Sequence, residues 1–316
     1  MDRKHMKIVV VYGGISSERE ISLRSGAAIY DSLRRGGYTD VSLFDLKRNN
    51  LADLLTEKPD LVFLALHGKG GEDGSIQGML TLAGIPYTGS STEASAVCMN
   101  KIRTKEILLC HGIPTPNFSV LYREETKDME ACCQRLLEEV GLPMVLKAPR
   151  EGSSIGVCMV KEASELSDAI REVLTYDDVI LAEEFMSGME LTLPMLGNRE
   201  PEAYPLVEIT SENEFYDYTA KYTKGMCHHI IPARISDELR ERIVEIGKRA
   251  YRALGCRGIA RLDFMLDKNG EPKVIEVNTL PGMTEMSLFP DSARSVGVSF
   301  EELVDRIVAL ALESLL

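Results

Sequence analysis

The apolar positions of this chain change period along its length, and the changes mark its elements. Lys7 to Tyr12 is a short Val-rich run ended by Gly13-Gly14, the pattern of a strand buried on both faces of a parallel sheet. Ser17 and Glu20 match a capping box with Ser17 at the N-cap. The helix they open carries Ile21, Leu23, Ala28, Ile29 and Leu33 inward as far as Gly36-Gly37. Val41 to Phe44 and Leu61 to Leu66 read as further strands. Strand, helix and strand at this spacing predict an open α/β sheet, whose ligands gather where loops leave the carboxyl ends of the strands. Those loops are Gly13 to Glu18 and His67 to Gly74. A second capping box, Ser90 to Glu93, opens a helix expected to run to about Cys110.

Past His111 the pattern restarts. Thr126 to Val140 is periodic as a helix, with Met129, Cys133, Leu136, Leu137 and Val140 apolar and Gly141 closing it. Pro143 to Pro149 reads as a strand holding Lys147, and Val179 to Phe185 as another that ends in Glu183-Glu184. Between them, Arg150 to Val157 is a small-residue loop. Such a loop serves equally as a hairpin turn or as a phosphate cradle of backbone N–H groups, and Lys147 beside it favours phosphate. Glu190 starts a further strand. Phe215 to Tyr222 packs four aromatics into eight residues without a period, which suggests a loop folding over something, ordinary aromatic core being the alternative. Ser236 to Leu254 is an amphipathic helix, and Ser299-x-x-Glu302 caps a last one. A first boundary falls near the end of the helix at His111-Gly112 and Pro114, and a second near residue 190.

Ile259 to Leu266 and Lys273 to Asn278 both alternate in period two around the turn residues Asp267 to Gly270. Alternation places Arg261 with Asp263 and Glu276 with Asn278. A hairpin closing with Leu266 opposite Lys273 sets Asp263 against Glu276 and Arg261 against Asn278. Two carboxylates, an amide oxygen and a guanidinium then share one place. Hard oxygen donors of this kind suit Mg²⁺ completed by substrate phosphates, and a solvated face of a two-stranded ribbon is the alternative.

Composition narrows the partners. The chain has 316 residues, 49 acidic against 36 basic, for a formal net charge of −13. That balance argues against nucleic acid or an anionic membrane as a general partner, and leaves room for a small anion in a locally basic cleft. No apolar run approaches the length of a membrane span, and the N-terminus lacks a signal-peptide apolar region. Seven cysteines without C-x-x-C spacing predict reduced thiols in a cytoplasmic protein. His228-His229 lacks zinc-ligand spacing. Neither G-x-G-x-x-G nor G-x-x-x-x-G-K-[ST] occurs, so neither a dinucleotide fold nor a P-loop is supported.

Six ordered segments carry a resemblance: GGISSEREIS, LHGKGGEDGSIQGML, CMNKIRTK, VLKAPREGSSIGV, YDYTAKY and RLDFML…VIEVNTLPGMTEMSL. In them the chain closely resembles the D-alanine–D-alanine ligases of the ATP-grasp superfamily. The resemblance implies three domains: an N-terminal open parallel α/β domain (1–97) followed by a two-domain ATP-grasp fold (98–190 and 191–316). It implies ATP-dependent joining of two D-alanine molecules through D-alanyl phosphate, for peptidoglycan precursor synthesis, by a cytoplasmic homodimer. It also implies two Mg²⁺ ions, for which Mn²⁺ can substitute.

The roles it implies are specific. Lys101 and Lys147 match lysines on the ATP phosphates, Glu183 the carboxylate at the adenine amino group, Phe185 and Met186 the adenine slot, and Glu190 the ribose carboxylate. Asp263, Glu276 and Asn278 match the metal ligands. Arg261 and the backbone N–H of Gly282 match an oxyanion site. Glu18 matches the residue holding the first D-alanine's ammonium, with His67 nearby. Ser287 and Leu288 match the pocket for the second D-alanine's carboxylate. Glu18, Ser153 and Tyr222 match a trio joining the domains, and Lys221 a lysine reaching toward the phosphates. The stretch from about Tyr216 to Ile231 would exclude water, and either His228 or His229 could approach the second subsite. Relatives that make D-alanyl-D-lactate typically have Phe at the position of Tyr222, so the dipeptide is favoured over the depsipeptide, and another carboxylate–amine ligase acting on different amino acids is a further alternative.

Overall fold

The computed structural model describes residues 3–152, 155–211 and 227–313. The N-terminal part runs β1 (Lys7–Gly13), α1 (Arg19–Arg35), β2 (Asp40–Leu46), α2 (Leu51–Thr56), β3 (Leu61–Leu64), α3 (Ser75–Leu82) and α4 (Thr92–Met99). Its strands pair in parallel in the order β2-β1-β3. The unbroken apolar run of β1 has a direct cause: both faces are covered. Ile8 and Val10 join Leu61 and Phe63 under α1, while Val9 and Val11 join Val62 and Leu64 against Leu54 and Leu80.

The middle part comprises α5 (Lys101–Cys110), β4 (Phe118–Tyr122), α6 (Met129–Glu139), β5 (Met144–Lys147), β6 (Val157–Val160), α7 (Leu166–Val173) and β7 (Val179–Glu184). Its sheet is antiparallel in the order β4-β7-β5-β6. Leu136 of α6 and Ile170 and Val173 of α7 close its core over Leu121, Leu146 and Ala182.

The last part holds β8 (Glu190–Gly197), β9 (Glu202–Ala203), β10 (Val207–Ser211), β11 (Cys227–Ile230), α8 (Asp237–Ala253), β12 (Gly258–Leu266), β13 (Pro272–Asn278), α9 (Leu288–Ser295) and α10 (Phe300–Glu313). Among the described residues its antiparallel sheet has the order β11-β10-β8-β12-β13, with β9 paired to β8. Alternation divides this sheet cleanly. Leu191, Leu193, Leu262 and Phe264 meet Ile243 and Ala250 of α8, each large side chain stabilising by roughly 1.5–3 kcal/mol on burial. Thr192, Arg261 and Asp263, one residue out of step, emerge on the other face. The last described helix bridges this sheet and the N-terminal one, with Leu196 of β8 and Ile259 of β12 in the same core as its apolar face. Leu303, Val304, Ile307 and Val308 of α10 pack with Ile8, Ile29 and Leu33, so the chain's end completes the N-terminal core. Lys4, at 2.6 Å, and Tyr38, at 2.9 Å, converge on Asp305 there.

Three local expectations need correction. Glu18 rather than Ser17 is the N-cap of α1, and no side chain caps it. Ser16 Oγ instead donates to the carbonyl of His67 at 2.6 Å and accepts from the Glu18 N–H at 3.2 Å, tying the two sheet-end loops together. The helix expected from Ser90 to Cys110 is capped by Ser91 and broken at Asn100. Asn100 is extended, with ψ 98°, and its side chain accepts from the N–H groups of Ile102 and Arg103, so it starts a new helix with Lys101 in first position. The helix expected from Thr126 begins at Met129 because Asp128 caps it, accepting from Ala131 N–H at 3.1 Å. Ser299 does cap α10, accepting from Glu302 N–H at 3.1 Å.

The hairpin corrects and vindicates its reading together. Leu266 lies opposite Pro272, not Lys273. A register shift after Asp263 leaves Ile275 as the extra residue, and the pairs Asp263–Glu276 and Arg261–Asn278 follow as expected.

Candidate active site

A cavity of about 710 Å³ opens where the three sheets meet. Apart from His228, every described candidate from the sequence lines it: Glu18, His67, Lys101, Lys147, Glu183, Phe185, Met186, Glu190, His229, Arg261, Asp263, Glu276, Asn278, Gly282, Ser287 and Leu288. Ser153, Lys221 and Tyr222 lie outside the described residues, as does most of the stretch from Tyr216 to Ile231.

The hairpin forms one wall. Arg261 Nε and Nη2 donate to the two oxygens of Asp263 at 2.9 and 2.8 Å, and Asn278 Nδ2 donates to Asp263 at 3.0 Å. Thr192, opposite Asp263 on β8, adds its hydroxyl. Glu276 faces Lys101 Nζ at 3.4 Å, and Lys101 also donates to the carbonyl of Glu151 at 2.8 Å. The Asn100 break in the helix is what aims Lys101 inward.

The second wall is built on Glu183, which is 2% exposed. Lys147 from β5 binds one of its oxygens, and Lys105 Nζ lies 2.6 Å from the other. Lys105 is wholly buried and donates to Thr115 Oγ at 2.7 Å. Burial alone would raise the Glu183 carboxyl, yet the two ammonium groups prevail and hold it down to about 2. Burial pulls Lys105 below its usual range. The carboxylate governs the trio, because two cations face it while Lys147 opposes the charge on Lys105. Lys105 carried no role in the sequence reading. Its signal was its place four residues after Lys101, on the inward side of the same helix.

The third wall comes from the N-terminal sheet. A Cβ on Gly68 would stand 2.8 Å from Glu18 Oε2, and one on Gly152 would stand 2.9 Å from it, so the Glu18 carboxylate sits between two loops that approach only because both positions are glycine. His67 Nδ1 bonds the carbonyl of Leu280 at 3.0 Å, and its Nε2 meets Ser25 Oγ at 3.2 Å. Ser25 in turn accepts from Met283 N–H at 3.3 Å. The ring therefore donates from Nδ1 and accepts at Nε2, and burial lowers its pKa further toward the neutral form. Through it, the loop from Thr279 to Ser287 is fastened to the N-terminal sheet. Glu72, also missed in the sequence, accepts from Gly68 N–H at 2.6 Å. Burial, then Glu18, raises its carboxyl to about 8.

That loop forms the far end. Ser287 is the backbone N-cap of α9 but makes no cap bond. Its Oγ instead accepts from Thr284 N–H at 3.0 Å, and it would meet a Cβ on Gly282 at 3.1 Å. Cationic groups, oxygen donors, a half-buried anion and a helix start thus face one space, a suitable arrangement for handling phosphate and a small zwitterion. Behind the lining residue Cys98, its buried thiol lies 3.8 Å from that of buried Cys256, and the bond to Cys256, with burial, raises the Cys98 pKa and keeps it protonated.

Comparison with known proteins bears on what the space holds. A family profile described as "D-ala D-ala ligase C-terminus" matches residues 107–309, and one described as "D-ala D-ala ligase N-terminus" matches residues 46–90. The D-alanine–D-alanine ligase of Carboxydothermus hydrogenoformans is 51% identical over 309 residues, covering 98% of this chain and 99% of the relative. The crystal structure of the Bacillus anthracis ligase complexed with ATP superposes with a TM-score of 0.83 at 34% identity, over 98% of each chain. A D-Ala:D-Ser ligase from Enterococcus faecalis superposes with a TM-score of 0.82 at 32% identity, over 97% of this chain and 99% of its own.

Proposed function

The chain belongs to the D-alanine–D-alanine ligase family, with the ATP-grasp fold of its relatives, and from that premise we propose how its residues divide the work. It is an ATP-dependent ligase that joins two D-alanine molecules through D-alanyl phosphate, supplying peptidoglycan precursor synthesis. A carboxylate is a poor acyl donor, so the first D-alanine must take the γ-phosphoryl group before the amine of the second can displace phosphate. The first step crowds anions together and needs cations already in place.

Lys101 and Lys147 serve the phosphates, with Glu183, buried Lys105 and Thr115 holding Lys147 in position. Phe185 and Met186 line the adenine slot, Glu183 meets the adenine amino group, and Glu190 the ribose. Asp263, Glu276 and Asn278 fit a divalent cation. They offer two carboxylates and an amide, and among the described residues no three His, Cys, Asp or Glu side chains form a self-sufficient metal cluster, so substrate phosphates would complete the set. Two Mg²⁺ ions, or Mn²⁺, would neutralise phosphate charge there. Arg261 leaves its fork on Asp263 as that carboxylate is engaged, and turns with the Gly282 N–H to the oxygen that becomes negative in the tetrahedral intermediate.

Glu18 holds the ammonium of the first D-alanine. His67, neutral and doubly bonded to the protein, keeps the Gly282 loop against it. Ser287 and Leu288 receive the second carboxylate. From the sequence alone, Ser153 and Tyr222 link to Glu18, and Lys221 reaches the phosphates over the closed site, which excludes water. The working units are 1–97, 98–190 and 191–316, in a cytoplasmic homodimer. Among the described residues no helix is long and apolar enough to cross a membrane.

The single observation that carries this reading is one cavity lined at once by Glu18, the Lys147–Glu183 pair, the Asp263 cluster and Ser287. Phosphate release from ATP and Mg²⁺ tests it. D-alanine should support turnover, whereas L-alanine alone and D-lactate alone should not. Release with L-alanine and none with D-alanine would overturn it.

A further inference from the structure

The sequence left His228 and His229 as equal alternatives, and the structure separates them. Strand β11 pairs His229 with Ile209, and β10 pairs Ile209 with Glu190, which pairs with Met265 on β12. By alternation that row shares a face with Asp263, two residues from Met265. His229 therefore emerges on the active-site face and lines the cavity. His228 points to the other face and is exposed.

His229 Nδ1 lies 2.7 Å from Asp291 Oδ2, and both side chains are largely buried, at 22% and 15% exposure. Asp291 stands one turn into α9, and its N–H donates to the carbonyl of Ser287 at 3.0 Å. Arg294 grips the other oxygen of Asp291 at 2.7 Å and the carbonyl of Glu285 at 2.6 Å. A continuous set of bonds thus runs from β11 through Asp291 to the residues on both sides of Ser287. Strand β11 directly follows residues 212–226, the stretch that carries Lys221 and Tyr222.

We propose that His229, held by Asp291, is a positioning residue for the second substrate. The pair sets the first turn of α9 so that Ser287 and the Leu288 N–H meet the carboxylate of an incoming small amino acid. It also keeps the Asp291 carboxylate bonded away from that anion, which it would otherwise repel from one helical turn away. The inference rests on the ligase reading and on the assignment of Ser287 and Leu288 to the second carboxylate. It adds a pair that neither the family roles nor the first substrate requires.

The test compares full-length wild-type enzyme, His229→Ala and His229→Asn by initial rates over a wide range of D-alanine, which resolves the two D-alanine sites. His229→Ala should raise the KM of the second D-alanine by about tenfold or more, the loss of one charge-assisted hydrogen bond. The KM values for ATP and for the first D-alanine should stay within about twofold. In His229→Asn the side-chain amide N–H stands where Nδ1–H stood, and the second KM should recover most of the loss. A second KM unchanged in His229→Ala, an equal rise in all three KM values, or no recovery in His229→Asn would each overturn the proposal. Wild-type enzyme that releases no phosphate with D-alanine would instead refute the ligase reading, before any variant is compared.

Discussion

Replacing Lys105 by Met tests whether the Glu183 trio is a single electrostatic unit. Methionine keeps most of the stem volume and removes the charge. Lys105 is fully buried, 2.6 Å from Glu183, and donates to Thr115. Removing one partner of a buried pair typically costs about 3–5 kcal/mol. Lys147 still faces Glu183, so Lys105→Met should cost less, about 2–3 kcal/mol. Glu183→Gln leaves Lys105 buried beside a neutral amide and should cost about 3–5 kcal/mol. The double variant has neither buried charge uncompensated, since Lys147 is partly exposed. Its cost should fall short of the sum by about 2 kcal/mol. Urea unfolding followed by circular dichroism measures all four proteins. Additivity within about 0.5 kcal/mol would refute the coupling. The pH dependence has a definite sign. The folded Glu183 carboxyl lies at about 2 against an ordinary 4.5, a difference of about 3 kcal/mol. That contribution is present above 4.5 and lost as pH falls through about 2, so wild type should lose more stability across this window than Glu183→Gln.

Other residues give independent outcomes. Arg261→Ala should lower kcat by about 10²–10³, with Arg261→Lys intermediate because the fork to Asp263 is lost; steady-state rates within about threefold of wild type would count against the oxyanion role. The Glu72 carboxyl is raised to about 8, so folding stability should decline as pH rises from 4.5 through about 8, and Glu72→Gln should flatten that decline in thermal melts. Gly68→Ala puts a Cβ 2.8 Å from Glu18 Oε2 at φ +66°. It should raise the KM of the first D-alanine more than that of ATP, measured by initial rates.

Much of this site was legible because chemistry and period coincide in the hairpin. Arg261, Asp263, Glu276 and Asn278 needed only alternation to share a face. The bulge at Ile275 was not legible, since an extra residue leaves no mark in a short alternating run. Asn100 was hidden for a similar reason: a helix on either side of one capping residue reads as one continuous period. Lys105 and Glu72 were missed because burial of a charge depends on groups brought from distant parts of the chain, Glu183 for Lys105 and Glu18 for Glu72. The docking of α10 on β1 and α1 was invisible for the same cause, since an amphipathic stripe shows that a helix packs but not against what. The ordered segments shared with the ligases supplied roles that period alone cannot, above all for Ser287 and Glu18.

If this one cavity joins two D-alanine molecules at the expense of ATP, the condensed product and ADP must form together. The decisive measurement gives purified protein ATP, Mg²⁺ and an equal mixture of D-alanine, D-serine and D-lactate, and resolves the products by mass spectrometry. D-alanyl-D-alanine should dominate and appear in step with ADP and phosphate. A predominance of D-alanyl-D-lactate or of the mixed D-alanyl-D-serine product, or ADP formed without any condensed product, would rule out a D-alanine–D-alanine ligase.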